Sequence, residues 1–125
     1  MRVLTDHIVP GKAACNKVMA TGEPGVGGAC HDYQIIDVSH EKADGGLLMA
    51  ELHFQNGPIA EVGVNGIQNE DLLALLIDRL KGFQGGLYKC RENALALTKL
   101  EEALMWLKKR TGARIERQVE GTHEI

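Results

Sequence analysis

Two stretches of apolar residues at helical spacing, separated by a pair of glycines, constrain the fold of this chain more than any other feature. The first stretch follows Asn69, an expected N-cap, and stops at Gly85 and Gly86, which favour the end of a helix. The second begins near Cys90 or Arg91, so the connection is short and two antiparallel helices are expected. Apolar side chains recur at steps of three and four: Leu72, Leu73, Leu76, Ile77, Leu80 and Phe83, then Leu97, Leu100, Leu104 and Leu107.

The first 67 residues differ in character, because they hold most of the glycines and all three prolines. Residues 48–55 alternate between apolar and polar side chains, and residues 33–38 form a second candidate strand. The turn-forming sequence Asp44-Gly45-Gly46 lies between them. An antiparallel β-hairpin is therefore predicted here.

Three other parts of this half are predicted with less regular structure. An extended piece is expected near residues 1–8, a glycine-rich loop at 21–28 and a bridge with sharp turns at 57–66. Together these patterns predict an α+β fold within one compact domain. Antiparallel strands occupy residues 1–67, and an antiparallel two-helix hairpin occupies residues 68–125.

Length and charge restrict the class of protein. A chain of 125 residues buries only a modest core, so we expect it to oligomerise. The net charge of −3 argues against a generic nucleic-acid binder. The spacing of Cys15, Cys30 and Cys90 does not suggest a disulfide framework, and neither a signal peptide nor a membrane span is visible. We therefore expect a cytoplasmic protein.

The end of the second helix carries the only pronounced charge cluster. Arg110, Arg114 and Arg117 share one face if the helix continues through Gly112. With two neighbouring lysines and one acid, the cluster has a net charge of about +4. Guanidinium groups match phosphate oxygens. The alternative is a solvated helix end, where cations are also favoured.

The other end of the hairpin carries a ring and polar groups. Phe83 could close the small core or offer a face on which a base stacks. Asn93 could read the edge of a base with its amide. Arg91 lies at the start of the second helix, and the N-terminus of a helix favours an anion. Helix capping alone would also explain this polar start.

Other chemistry-bearing residues are better explained by structure. Trp106 suits the core or an interface. The glycines of residues 21–28 lack the Gly-Lys-Ser/Thr sequence of a phosphate loop. The five histidines show no paired metal spacing, and no nucleophile with an adjacent base is visible. The sequence thus indicates a binding protein that is not an enzyme, without a cofactor or metal.

Distance along the second helix separates the two ends. From Asn93 to Arg110 there are 17 residues, about 25 Å of helix. One nucleotide-sized ligand cannot reach both groups in a single chain. Two chains packed antiparallel in a two-fold dimer would form two equal shared sites.

The sequence from residue 56 to residue 122 resembles a known family. The matching motifs are Gln55-Asn56-Gly57-Pro58-Ile59, Gly63-Val64-Asn65-Gly66, Asn69-Glu70, Cys90-Arg91-Glu92-Asn93, Thr98-Lys99-Leu100-Glu101-Glu102-Ala103-Leu104, Lys109-Arg110-Thr111 and Val119-Glu120-Gly121-Thr122. They resemble the first type of phage Thoeris anti-defence protein, whose hairpin is shared with an anti-CBASS sponge. The first 50 residues match only in general character.

The resemblance implies a phage protein acting in the cytoplasm of an infected bacterium. Such proteins sequester cyclic ADP-ribose isomers without cleaving them, so the defence effector is not activated. Some relatives also hold cyclic di- and trinucleotides at separate sites. The family implies homodimers, and hexamers built as trimers of dimers, with no membrane or nucleic-acid partner.

The resemblance also assigns roles to matching residues. Phe83 would stack on the adenine, Asn93 would hydrogen-bond the ligand, and Arg110 and Arg114 would hold its pyrophosphate and ribose. Asn65 belongs to the family's glycine-rich turn, where its role could be conformational.

Two further arginines are added on charge and spacing alone. Arg91 and Arg117 extend the predicted ligand-binding set at the two ends of the second helix. The competing hypothesis is a nucleic-acid- or protein-binding module that uses the basic face of residues 108–117. Its binding should weaken steeply with salt.

Overall fold

The computed structural model describes residues 1–39, 45–117 and 119–125. The chain divides into two compact units. The strand unit comprises Met1–Gly57 and Val64–Gly66, and the helical unit comprises Pro58–Gly63 and Ile67–Ile125. The predicted division at residues 67 and 68 stays a prediction.

The strand unit is a four-stranded antiparallel sheet in the order β1-β2-β3-β4. This confirms the predicted α+β class, with antiparallel strands preceding helices. The strands are β1 (Arg2–Leu4), β2 (Asn16–Ala20), β3 (Asp32–Asp37) and β4 (Leu47–His53).

The predicted hairpin between residues 33 and 55 is formed by β3 and β4. Tyr33 pairs with Leu52, and its ring meets the ring of Phe54 edge-on, with 5.7 Å between centroids. A bulge leaves Met49 without a partner, because Ile35 pairs with Ala50 whereas the next residue pairs with Leu48. The bulge shifts the simple alternation read from the sequence.

The predicted turn of this hairpin is described only in part. Gly45 and Gly46 have φ of 85° and 113°, a region that L side chains rarely adopt. A Cβ at Gly46 would also collide with the carbonyl oxygen of Asp37. Glycine is thus required here, as predicted, while Asp44 lies outside the described residues.

Strand β2 was not predicted, and it supplies the interior of the sheet unit. Its sequence contains one β-branched residue, Val18, so its propensity for a strand is low. It lies between β1 and β3, and this position buries Met19 and Ala20. Pairing on both sides, rather than local propensity, makes this segment a strand.

Among its described residues, the helical unit contains one short helix and two long ones. The short helix, α1 (Ile59–Val62), lies in the segment predicted as a bridge and ends at Gly63. The predicted hairpin follows as α2 (Asn69–Gln84) and α3 (Arg91–Glu116). The N-cap of α2 is Gln68, one residue before the predicted cap, and its backbone N–H donates to the Asp71 carboxylate at 2.9 Å.

The two long helices pack antiparallel along the predicted apolar stripes. The Thr111 hydroxyl, near the end of α3, donates to Glu70 at the start of α2 over 3.3 Å. Ile77 is buried, but Leu76 is 42% exposed. The other apolar residues of the two stripes are half-buried: Leu72, Leu73, Leu80, Phe83, Leu97, Leu100, Leu104 and Leu107.

Trp106 is not part of the core of this chain. Its side chain is 55% exposed, and the Lys109 ammonium lies 5.1 Å from its ring centroid. The interface alternative stays a prediction. No helix in the described ranges is both long and apolar enough to cross a membrane.

Candidate functional site

The turn end of the hairpin is organised by Gln84 and Cys90. The Gln84 amide donates to the Cys90 carbonyl and accepts from the Cys90 N–H, each at 3.1 Å. The Cys90 sulfur then accepts the backbone N–H of Asn93 at 3.4 Å, as the N-cap of α3. Cys90 therefore caps the helix, and the half-buried Asn93 side chain is left available for another contact.

Phe83 lies half-buried in the last turn of α2. The guanidinium carbon of Arg79, one helical turn earlier, lies 5.0 Å from the centroid of its ring. This cation–π contact occupies one face of the ring. A base could stack only on ring surface that Arg79 leaves uncovered.

The remaining predicted residues near this part of the sequence differ in their contacts. Arg91 is exposed at the first position of α3. Asn65 belongs to the strand unit, where its side-chain amide accepts from the Asn56 N–H at 2.8 Å and donates to the Asn56 carbonyl at 2.7 Å. Its backbone N–H donates to Gln55 at 2.9 Å. These contacts give Asn65 a structural role in its loop.

The predicted helix through Gly112 is confirmed, because α3 continues to Glu116. The three arginines on it nevertheless have different environments. Arg110 is exposed, whereas Arg114 is only 6% exposed. Arg117 is the C-cap, and its guanidinium donates to the Ile125 carbonyl at 3.1 Å.

Arg114 binds the C-terminal segment, which we define as residues 119–125. Its Nε donates to the Glu120 carboxylate at 3.0 Å. Its two terminal nitrogens donate to four backbone carbonyls of the same segment, those of Val119, Thr122, Glu124 and Ile125. The guanidinium is therefore occupied by the chain itself in this structure.

The C-terminal segment also contacts α1. The Ala60 N–H donates to the Gly121 carbonyl at 3.0 Å, and the His123 ring lies 3.0 Å from the Glu61 carboxylate. The segment thus joins the first helix of the unit to the end of the last. Sequence reasoning did not find this connection, because His123 and Glu61 are 62 positions apart.

The two ends of the hairpin do not meet within one chain. Asn93 and Arg110 lie on one continuous helix of 26 residues, so they remain about 25 Å apart. The structure brings Phe83 and Asn93 to the turn end and leaves Arg110, Arg114 and Arg117 at the other. A site that uses both ends requires a second chain.

A cavity of about 630 Å³ lies in the strand unit. Arg2, Cys30 and Tyr33 line it together with part of the glycine-rich loop. None of the seven ligand-binding residues predicted from the sequence lines this cavity. Across residues 1–39, 45–117 and 119–125, no three His, Cys, Asp or Glu side chains group closely enough to hold a metal ion.

The sequence interpretation missed several residues that shape the hairpin ends. Helical spacing could have identified Arg79, because it precedes Phe83 by four residues. Gln84 and Glu120 carry no such signal, since their partners lie across a turn or beyond a helix end.

The fold and these side chains define an α+β protein with a helical hairpin that bears polar groups at both ends. Residues 49–112 match the family model described as the hairpin domain of Acb2/Tad1. The chain belongs to this Acb2/Tad1 hairpin family.

A curated relative is similar to a larger part of the chain. This relative, Thoeris anti-defense 1 of Bacillus phage SBSphiJ7, is 60% identical over 76 residues. The match covers 61% of this chain, and the chain spans 54% of the relative's length.

Proposed function

We propose that this chain is a phage anti-defence protein that sequesters glycocyclic ADP-ribose signals of Thoeris systems without cleaving them. The observation that carries the proposal is the family hairpin, with a ring and an amide at one end and an exposed arginine at the other. The name of the similar phage relative and the family match support the anti-defence part of the proposal. Such a protein acts in the cytoplasm of the infected host.

The proposed site lies between two chains. Phe83 and Asn93 of one chain hold the base, and Arg110 of its partner holds the pyrophosphate. The separation of about 25 Å along α3 supports this arrangement. A two-fold dimer contains two such sites, and three dimers would form a hexamer.

The other residues predicted to contact the ligand differ in how accessible they are to it. Arg91 and Arg117 are exposed and remain candidate ligand contacts, as does Asn65. A direct contact from Arg114 requires the C-terminal segment to leave its guanidinium. Cyclic di- and trinucleotides of CBASS systems remain candidate ligands at separate sites.

Ligand recovery tests the absence of turnover. The protein is incubated with glycocyclic ADP-ribose, denatured, and the small molecules are separated by chromatography. We expect intact ligand, because sequestration needs tight binding alone. Recovery of linear ADP-ribose or AMP would show an enzyme and contradict the proposal.

Calorimetric titration tests the binding residues. Arg110→Ala should weaken binding of glycocyclic ADP-ribose by about 10- to 100-fold, since a hydrogen bond to a charged group contributes about 1.5–3 kcal/mol. Lys99→Ala, on an exposed part of the same helix, serves as the control and should bind normally. Failure of the unaltered protein to bind would refute the proposal.

Subunit complementation tests the shared site. Phe83→Ala and Arg110→Ala chains, each deficient alone, are unfolded together and refolded as a mixture. A mixed dimer contains one site with both residues intact, so about a quarter of the normal number of sites should return at full affinity. A site within one chain would show no recovery.

Binding to duplex DNA would favour the competing interpretation. Lys108, Lys109 and Arg110 are exposed on the basic face, but Arg114 and Arg117 bond to the C-terminal segment. Salt-sensitive duplex binding, without a shift in melting temperature on adding cyclic nucleotides, would identify a nucleic-acid module.

A further inference from the structure

The Arg114 guanidinium has no donor left for a ligand in this structure. An arginine has five N–H donors. Arg114 makes five hydrogen bonds, one from Nε to Glu120 and two from each terminal nitrogen to backbone carbonyls. A phosphate could reach it only by displacing part of the C-terminal segment.

Displacement of that segment would be costly. The Arg114 side chain is 8% exposed, whereas Glu120 is 39% exposed. Displacing the segment would leave the buried Arg114 cation without its carboxylate partner, and an unpaired buried charge is strongly unfavourable. The segment and the guanidinium therefore stabilise each other.

This anchor lies just beyond a weak point in α3. Gly112 occupies the interior of the helix, where glycine is less favourable than alanine by about 0.5–1 kcal/mol. In an α-helix the carbonyl of Arg110 accepts from the N–H of Arg114. Fraying of the last turn at Gly112 would therefore loosen Arg110.

The anchor is connected to the rest of the helical unit through α1. Ala60 and Glu61 bond to Gly121 and His123 of the C-terminal segment. The end of α3 is thus fixed on one side by its packing on α2 and on the other by this segment. Arg110 lies directly before Thr111, which bonds to Glu70 of α2, and one helical turn before Arg114.

We propose that Arg114 is a positioning residue: by binding the C-terminal segment it keeps the last turn of α3 helical and fixes the exposed Arg110 for ligand binding. This inference rests on the proposed function. It replaces a direct ligand contact from Arg114 with an indirect effect through Arg110. Ligand then binds only to molecules whose segment is closed.

Hydrogen exchange measured by mass spectrometry on the full chain tests this coupling. Amides of residues 112–116 and 119–125 are followed with and without glycocyclic ADP-ribose. Since ligand binds only the closed form, its addition at 100 times Kd should slow their exchange by up to about 100-fold. Unchanged exchange would show a merely structural role, and faster exchange would show that ligand takes Arg114 from the segment; either overturns the proposal.

Variants separate positioning from contact. Arg114→Lys keeps the charge but has three donors, so exchange of the segment should accelerate at least about 10-fold and affinity should fall with it. Glu120→Gln provides a milder variant, in which affinity should fall a few-fold; unchanged or higher affinity would overturn the proposal. Arg110→Lys is the matched control, and should lose affinity with the segment's exchange unchanged.

Failure of the proposed function and failure of the positioning role of Arg114 give different experimental results. Exchange of the free protein and of free Arg114→Lys needs no ligand. If glycocyclic ADP-ribose does not bind while Arg114→Lys loosens the segment, the proposed function has failed and the anchor stands. If ligand binds and protection of the segment does not rise, the positioning role has failed and the proposed function stands.

Discussion

At the scale of single residues, side chains of one type on one helix have separate roles. Arg110 is exposed, Arg114 is buried among carbonyls, and Arg117 caps the helix. Arg79 on α2 covers one face of Phe83. Charge and spacing are similar for these residues, so the difference comes from the groups that surround each guanidinium.

The Arg79 contact predicts a modest effect on stability. Arg79→Ala removes the cation over the Phe83 ring and should lower the free energy of unfolding by about 0.5–1 kcal/mol. Urea unfolding followed by circular dichroism measures this change. Arg79→Ala in a Phe83→Leu background is the control, and an equal loss there would show that the ring is not involved.

His53 predicts a dependence of sheet stability on pH. Its hydrogen bond to Asp32, 2.6 Å long, raises the pKa of His53 above its usual 6.5, and Glu51 adds to the rise. Because the folded-state pKa is the higher one, this contribution is full below pH 6.5 and is lost as pH rises through the raised pKa.

Melting temperatures between pH 5.5 and 8.5 check this prediction, a range of about three units around the usual histidine pKa. The unaltered protein should lose stability over the alkaline part of the range relative to His53→Gln. A stability advantage over His53→Gln that grows with rising pH would contradict the prediction.

At the scale of elements, α3 combines a favourable start with a weak end. Cys90 caps the first turn, and the leucine stripe packs on α2. Gly112 precedes the last turn, which contains Arg114 and relies on its bonds to the C-terminal segment. The helix is therefore expected to fray first at its C-terminal end.

Gly112→Ala should stabilise the helix by about 0.5–1 kcal/mol. A Cβ at this position meets no atom within 4 Å, so the added methyl group causes no clash. Thermal unfolding measures the gain. Gly66→Ala is the opposite control, because its Cβ would collide with the Phe54 backbone, and an equal effect of both variants would contradict the expectation.

At the scale of the whole molecule, the interior is small for the apolar content. The buried hydrophobic residues in the described part of the chain are Met19, Ala20 and Ile77. Leu75, Leu95 and Trp106 are each more than half exposed on the long helices. Exposed apolar surface of this kind favours association with another chain.

Stability is therefore expected to depend on protein concentration. The Tm should rise over a 100-fold increase in concentration, because association stabilises the folded chain by mass action. Trp106→Glu should remove this dependence and reduce the mass measured by light scattering. Glu102→Gln, exposed on the same helix, is the control; a monomeric unaltered protein would refute the predicted association.

The helical hairpin and the β3–β4 pairing could be predicted from the sequence, because apolar periodicity and glycine punctuation act over short distances. Phe83, Asn93 and Arg110 could be proposed as ligand-binding residues from their side-chain chemistry, their places at the ends of that hairpin and the family resemblance. The strand β2 could not be predicted, since burial between two neighbours stabilises Met19 and Ala20 there. The environment of Arg114 could not be predicted either. Its partners come from a segment whose path is set by contacts with α1, and only the folded chain brings those groups together.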